Sequence, residues 1–276
     1  APSSTDDAIT IKSGHTVSVN STENADQLTI NTGGTLTITG AGVLSLNDGA
    51  GTDLTVNGTV ILNGATLTQS SSSAIDVNSG GTFTFNAGTF NGNGSMTIQN
   101  GGELHFAGTG VMNLAGTKSI SNLGTVNWSS ASSLLNFNGA NVTLSNSSNI
   151  NITATAAMNN GGNVSSTFTI NNNSTGTITK SNTGTATFGS GVTVSSTIGG
   201  ALVVADGILQ FSNATLVNFG TLQILAGKTL DLVSATTSLN GNTSITGAGI
   251  INNSGGTLSL GFAVQVPSGT TVNFST

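Results

Sequence analysis

The 276-residue chain has no cysteine, no tyrosine, no arginine, two prolines and one tryptophan, and only 5% of its residues are charged. Each shortage excludes something. Without cysteine there is neither a disulfide framework nor a thiolate metal site, and the redox compartment is left open. The four lysines (Lys12, Lys118, Lys180, Lys228) are spread along a chain of net charge −6, so no basic patch exists to displace phosphate counterions, and no nucleic-acid partner is expected. No apolar run approaches the ~18 residues of a membrane helix, and the strand-like segments fall short of the roughly 9–11 residues of a membrane-barrel strand, so no membrane insertion is expected. The opening "APSSTDD" has no charged n-region or apolar h-region, so any export signal is expected to be already absent.

What is present is glycine, at 39 residues, and Ser, Thr and Asn alternating with Val, Ile, Leu and Phe, with 36% apolar residues overall. That combination opposes disorder, which goes with high net charge and few β-branched residues. Short strands recur between Gly- and Asn-containing turns, as in "GGTLTI", "GGTFTF", "GGELHF", "GTVNW" and "GGTLSL". Their period of two sends one face inward and one outward.

The strand ends fall into three interleaved columns. Ile38, Leu62, Phe85, Phe106, Trp128 and Ile152 form the first; Leu44, Leu67, Phe90, Met112, Leu135 and Met158 the second; Val56, Val77, Ile98, Ile120 and Leu144 the third, all at steps of 21 to 24 residues. Three strands per repeat of about 22 residues predict an all-β, parallel, three-sided β-helix or β-solenoid of roughly twelve coils. At a strand separation of roughly 4.8 Å the rod is about 55–60 Å long. A single coil cannot bury its inner face, so its neighbours must supply the core. The expectation is one domain over 1–276, with a charged N-terminal coil (1–30), regular coils (31–276) and a less regular stretch near 153–185. In the first coil, Ile9/Ile11, Val17/Val19 and Leu28/Ile30 read as a longer turn leading to Ile38, Leu46 and Val56, and the column resumes at Phe188, Phe211 and Leu232. An antiparallel rival draws on hairpin-prone pairs such as Asn57-Gly58 and Asn240-Gly241 but would require linkers that the chain lacks.

Stacking accounts for the composition. Like charges repeated every coil would cost roughly 0.9 kcal/mol per pair even in water, whereas Ser, Thr and Asn can hydrogen-bond along the ladder. Gly and Asn suit corners where φ is positive. Proline has no N–H for a central strand, and Pro2 and Pro267 lie near the two ends.

Few residues are candidates for chemistry. Glu103 and His105 are the weak ligand-contact pair; parity turns both outward between Thr82/Thr84 and Thr125/Asn127, and an exposed solvated pair is the simpler reading than a catalytic one, which needs several titratable groups converging in a cleft. "DGAGTDLTV" (48–56) resembles the glycine-aspartate nonapeptide of calcium-binding toxin repeats, which makes Asp48 and Asp53 weak calcium candidates; Asp48 stands where that pattern has Gly, Thr55 where it has an inward apolar residue, and there is no tandem copy. The alternative is a charged turn. An outward Thr-x-Thr file on the first column, with Thr35/Thr37 and Thr82/Thr84, raises ice binding, but it breaks at Thr59/Ile61 and Glu103/His105. The aromatic platforms of carbohydrate binding are scarce, since Trp128 and most phenylalanines fall at inward positions. The first 26 residues hold Asp6, Asp7, Lys12, His15, Glu23 and Asp26, a charge density that discourages strand addition at an exposed edge. The uncharged "VPSGTTVNFST" is expected either to continue into a longer chain or to dock a partner.

With segments such as "ITIKSGHTVSVN", "ADQLTINTGGTLTITGAGVLSLNDG" and "TDLTVNGTVILNGATL", nearly the whole chain resembles the β-helical repeat regions of secreted bacterial surface proteins, the autotransporter-passenger-like and filamentous-adhesin-like β-solenoids. The resemblance rests on repeat style and transfers no site residues. It implies a right-handed parallel β-helix, an extracellular or cell-surface location, and non-enzymatic work as an adhesin stalk or self-assembling filament subunit, with end-to-end self-association and a cell-surface or glycan ligand as the expected partners. A polysaccharide-binding or polysaccharide-cleaving β-helix is the alternative, by fold analogy, and an ice-binding protein the third.

Overall fold

A computed structural model describes residues 9–47, 51–131, 135–136, 139–261 and 263–275. The chain is all-β, its strands pair in parallel, and it winds as a β-solenoid of about 11 turns, close to the expected twelve. One face, called face three below, is a 12-stranded sheet running from Ile9–Ile11 to Thr257–Leu260. The other two faces join at a corner that some strands round without a break, as in Thr59–Gln69, Thr82–Gly92, Thr177–Phe188 and Ala201–Ser212.

The first column is present as read: Ile38 pairs with Leu62, Leu62 with Phe85, Phe85 with Phe106, Phe106 with Trp128 and Trp128 with Ile152. Each is buried, and each fully buried aliphatic or aromatic side chain contributes roughly 1.5–3 kcal/mol that an isolated coil could not obtain. Aromatic rings meet in the core as tilted pairs, with Trp128 5.7 Å from Phe188 and Phe188 5.2 Å from Phe211, while the Trp128 indole N–H donates to Ser130 Oγ at 2.9 Å.

Four register assignments differ from the sequence reading. Val19, not Ile11, stacks on Ile38, and Ile11 pairs with Ile30 on face three; the strand Thr22–Ala25, invisible to a period-two search because Glu23 stands where its partner strand has Leu44, supplies the second face of the first coil. Phe90 pairs with Leu114, and Met112 with Gly88. Ile98 pairs with Asn122, and Ile120 with Met96. Phe188, Phe211 and Leu232 extend the second column from Met158, whereas the first continues through Lys180, Val204 and Ile224. A two-residue slip keeps side-chain parity, so spacing alone cannot detect it. Side chains at 132–138, and Asp6, Asp7, Asp48 and Pro2, lie outside the described residues.

The corner between face three and the first column is turned by glycine at nearly every coil. A Cβ added at Gly81 or Gly220 would lie 2.0 Å from a carbonyl oxygen of the preceding coil. Close approach, more than positive φ, fixes glycine at these two positions.

Just before that corner the core changes character. After Ile30, Val56, Val77 and Ile98, the same inward file holds Asn122, Asn146, Asn172, Ser196 and Asn218, all fully buried. Asn122 Nδ2 donates to Asn146 Oδ1 at 2.6 Å, and Asn146 Nδ2 to Asn172 Oδ1 at 2.8 Å. The amides also hold the turn backbone: Asn122 Nδ2 reaches Asn149 O at 3.0 Å, Asn172 Nδ2 reaches Ala201 O at 3.0 Å, and Gly124 N donates to Asn122 Oδ1 at 3.2 Å. An amide both donates and accepts, so one residue type can satisfy itself along a parallel file. We expect Asn146→Ala to lower unfolding free energy by on the order of 3 kcal/mol, because it strands a donor above and an acceptor below in a dry core, and the outward Ser145→Ala to stay within about 0.5 kcal/mol; urea unfolding of both variants measures the contrast.

Candidate functional site

Glu103 and His105 lie on the outward side of strand Glu103–Phe106, with Leu104 and Phe106 inward. In-register pairing sets Glu103 between Thr82 and Thr125, and His105 between Thr84 and Asn127. The imidazole Nε2 is 2.6 Å from Glu103 Oε2, with side-chain exposures of 28% for His105 and 47% for Glu103. Asn127 Nδ2 approaches the same Nε2 at 3.4 Å, and Asn151 Nδ2 donates to Asn127 Oδ1 at 3.0 Å. The pair therefore belongs to a hydrogen-bonded ladder of solvated outward side chains. It stands on a strand face where its coil neighbours bring threonine and asparagine.

Asp53 behaves otherwise. It is buried, and its Oδ2 accepts the Ala74 backbone N–H at 2.6 Å, which ties one coil's turn to the start of the next strand on face three. Asp76 sits outward one coil on and accepts Thr52 Oγ1 at 3.1 Å. The structure thus brings Asp53 to a backbone cap; among the described residues no group of three or more His, Asp and Glu is placed to hold a metal ion.

Two charged features escaped the sequence reading. Lys118 occupies an inward position of strand Gly116–Asn122, where its in-register partner on one side is Gly94. The ammonium donates to Asn91 O at 2.8 Å and Gly92 O at 2.6 Å and lies 4.3 Å from the Phe90 ring centroid. Burial lowers its pKa from 10.5 to about 7. Lys180 replaces an aliphatic residue in the first column, between Ile152 and Val204, and is fully buried. Its Nζ bonds the Asn182 carbonyl and reaches Asp206 O at 3.4 Å. Burial lowers the Lys180 pKa, and the charge of Asp206 opposes that shift. Asp206 Oδ1 in turn accepts Lys228 Nζ at 2.5 Å and the Gly207 N–H at 2.8 Å, which together hold the carboxyl below its ordinary range. The available signal was parity: both lysines stand at inward positions of alternating strands, in "GTKSISN" and "TITK".

No family model matches the chain, and no curated protein matches it. Among solved structures, the chain is similar to one described as a "TibC-catalyzed hyper-glycosylated TibA55-350 fragment", at 21% identity over 99% of this chain and 93% of that one, with a TM-score of 0.35.

Two outcomes are expected. Below pH 7 Lys118 is protonated whether the chain is folded or unfolded; between about 7 and 10.5 only the unfolded chain keeps that proton. Lys118 therefore makes stability rise with pH across that window by up to about 1.4 kcal/mol per unit, and Lys118→Met removes that share of the slope, leaving the contribution of Lys180, in urea titrations run at successive pH values. For the outward pair, the double replacement Glu103→Thr with His105→Thr should move unfolding free energy by less than about 0.5 kcal/mol, as for other exposed positions; a larger loss in the same titration would show that the pair carries structure.

Proposed function

We propose that this chain is a non-enzymatic, extracellular structural and adhesive β-solenoid, a stiff rod that serves as a surface-adhesin stalk or as the subunit of a self-assembling filament. The supporting observation is the continuity of the stack: parallel pairing runs coil upon coil through the described residues from Ile9 to Ser275, with one buried core threaded through it. Such a solid gains stability from each added neighbour and bends little, because bending must open hydrogen bonds on a whole face. A non-catalytic role is supported by the surroundings of Glu103 and His105, which meet threonine and asparagine above and below.

The ends support assembly along the axis. Among the described residues, strands Ile9–Ile11, Thr16–Val19 and Thr22–Ala25 pair on one side only, around a hollow of about 340 Å³ lined by Ile9, Ile11, Val17, Val19 and Leu28. At the other end, Thr257–Leu260 and Thr271–Ser275 also pair on one side, and Leu260 and Phe274 are 49% and 68% exposed. A parallel edge accepts a further parallel coil, either from the same polypeptide or from a second copy placed head to tail.

Light scattering and cryo-electron microscopy of the purified chain over a wide concentration range test the filament role, for which head-to-tail rods are expected; monomers at the highest concentration would remove it and leave the stalk. A reducing-end release assay over a polysaccharide panel tests the non-enzymatic role, and steady release of new ends would overturn it.

A further inference from the structure

Face three differs from the others in what it presents to water. Its strand pairs keep register without a bulge from Ile9 to Leu260, whereas the pairings of Thr82–Gly92 with Thr59–Gln69 and of Thr177–Phe188 with Ala201–Ser212 contain register shifts. One outward file on face three begins with Ser95 and Ser119 and then has threonine at every rank from Thr143 through Thr193 to Thr257. The file two residues along each strand runs through Thr97, Ser121, Ser145 and Ser195, departing at Asn171 and Val217. From Ser95 onward the outward positions of both files carry no ionisable side chain.

A second observation concerns what these hydroxyls do. Outside these files the outward groups bond to one another: Asn151 to Asn127, Thr187 to Gln210, Gln210 to Asp231, Asn273 to Asn252 and, on face three itself, Thr167 to Asn141. Among the described residues, the side-chain hydroxyls of the Ser95–Thr257 file have no hydrogen-bond partner within the protein, and none is sealed from solvent. Together with the second file they form a rectangular grid of about 4.8 Å between strands by about 6.6 Å along each strand. Along the Ser95–Thr257 file every node offers one hydroxyl that both donates and accepts; in the second file Asn171 and Val217 interrupt the hydroxyls, and Ser238 Oγ donates to Asn240 Oδ1 at 3.4 Å.

A partner for such a surface must be neutral, extended, periodic in two directions, and able to give and take hydrogen bonds at each node. A protein interface requires apolar or charged anchors, and these files have Val217 alone. A glycan surface is normally met by aromatic rings, and neither file contains one. Crystalline water meets every condition: its oxygens repeat on a rigid net at comparable spacings, and each both donates and accepts. The grid is held by the core beneath it, so adsorption costs little ordering entropy, and many weak contacts add because they form together. We propose that the outward surface of face three, centred on Thr143, Thr169, Thr193 and Thr215, is an ice-binding surface. This does not depend on the stalk or filament role, and either can fail without the other.

The test uses the whole chain, fluorescently labelled, on a growing single crystal of ice and in an ice-recrystallisation assay. Thr193→Lys and Thr215→Lys each place a long, hydrated charge in the middle of the grid, and Thr125→Lys places the same charge on the first column's outer face; melting curves check that each variant folds. The wild type and Thr125→Lys are expected to coat the crystal and arrest recrystallisation, and both face-three variants to lose most of that activity. Exclusion of the wild type from ice would overturn the proposal. So would equal losses in all three folded variants, or retention on crystalline cellulose or chitin with none on ice.

Discussion

Parallel in-register stacking sets each residue about 4.8 Å from its counterpart in the coil before and the coil after. A position is therefore acceptable only if its side chain can live beside copies of its own kind. Aliphatic and aromatic groups meet this condition by packing, and an amide meets it by donating one way and accepting the other, as Asn122, Asn146 and Asn172 do in the core. A carboxylate or an ammonium fails it. The 5% charge content is thus a consequence of the architecture, and it matters more to the fold than any single contact.

The few charges that remain show what exemption requires. Lys118 has Gly94 as its partner on one side, so no second charge stands there, and it ends on two carbonyls of the preceding turn. Lys180 extends from the aliphatic column to a carbonyl at the bulge, where Asp206 and Lys228 supply charges of both signs. Asp53 is satisfied by the Ala74 amide. In each case a backbone group, fixed by the stack, does what a repeated neighbour cannot.

These rules also decide what could be read from the amino-acid sequence. Parallel pairing, three strands per coil, the inward residues of the first column and the outward placement of Glu103 and His105 all follow from alternation and a period near 22, because both are properties of single positions. Register is a property of pairs. The slips at Phe90/Leu114 and Ile98/Asn122 preserve parity, and the apolar file turns into an asparagine file at the second of them, so nothing in local hydropathy marks the change. The first coil is illegible for a related reason, since its second-face strand Thr22–Ala25 carries Glu23 and Ala25 where the next coil has Leu44 and Leu46. The threonine grid is also present in the letters, but its ranks line up only through the true partners on face three, whereas the first column, whose spacing is legible, has Ile61 and His105 among its threonines.

The faces also differ in how the protein uses its own outward groups. Where asparagine, glutamine or aspartate stands outward, side chains reach along the axis and bond to the next coil, which spends their hydrogen-bonding capacity inside the molecule. Threonine reaches the next coil where a longer amide meets it, as Thr187 meets Gln210 and Thr167 meets Asn141, whereas the Ser95–Thr257 file, made only of serine and threonine, stabilises the sheet through β-propensity and leaves its hydroxyls to the solvent. Residue length therefore separates a surface that is part of the scaffold from one that is available to something outside it. The scaffold holds that second surface rigid at no further cost, because the strands that carry it are already fixed by the core on their other side.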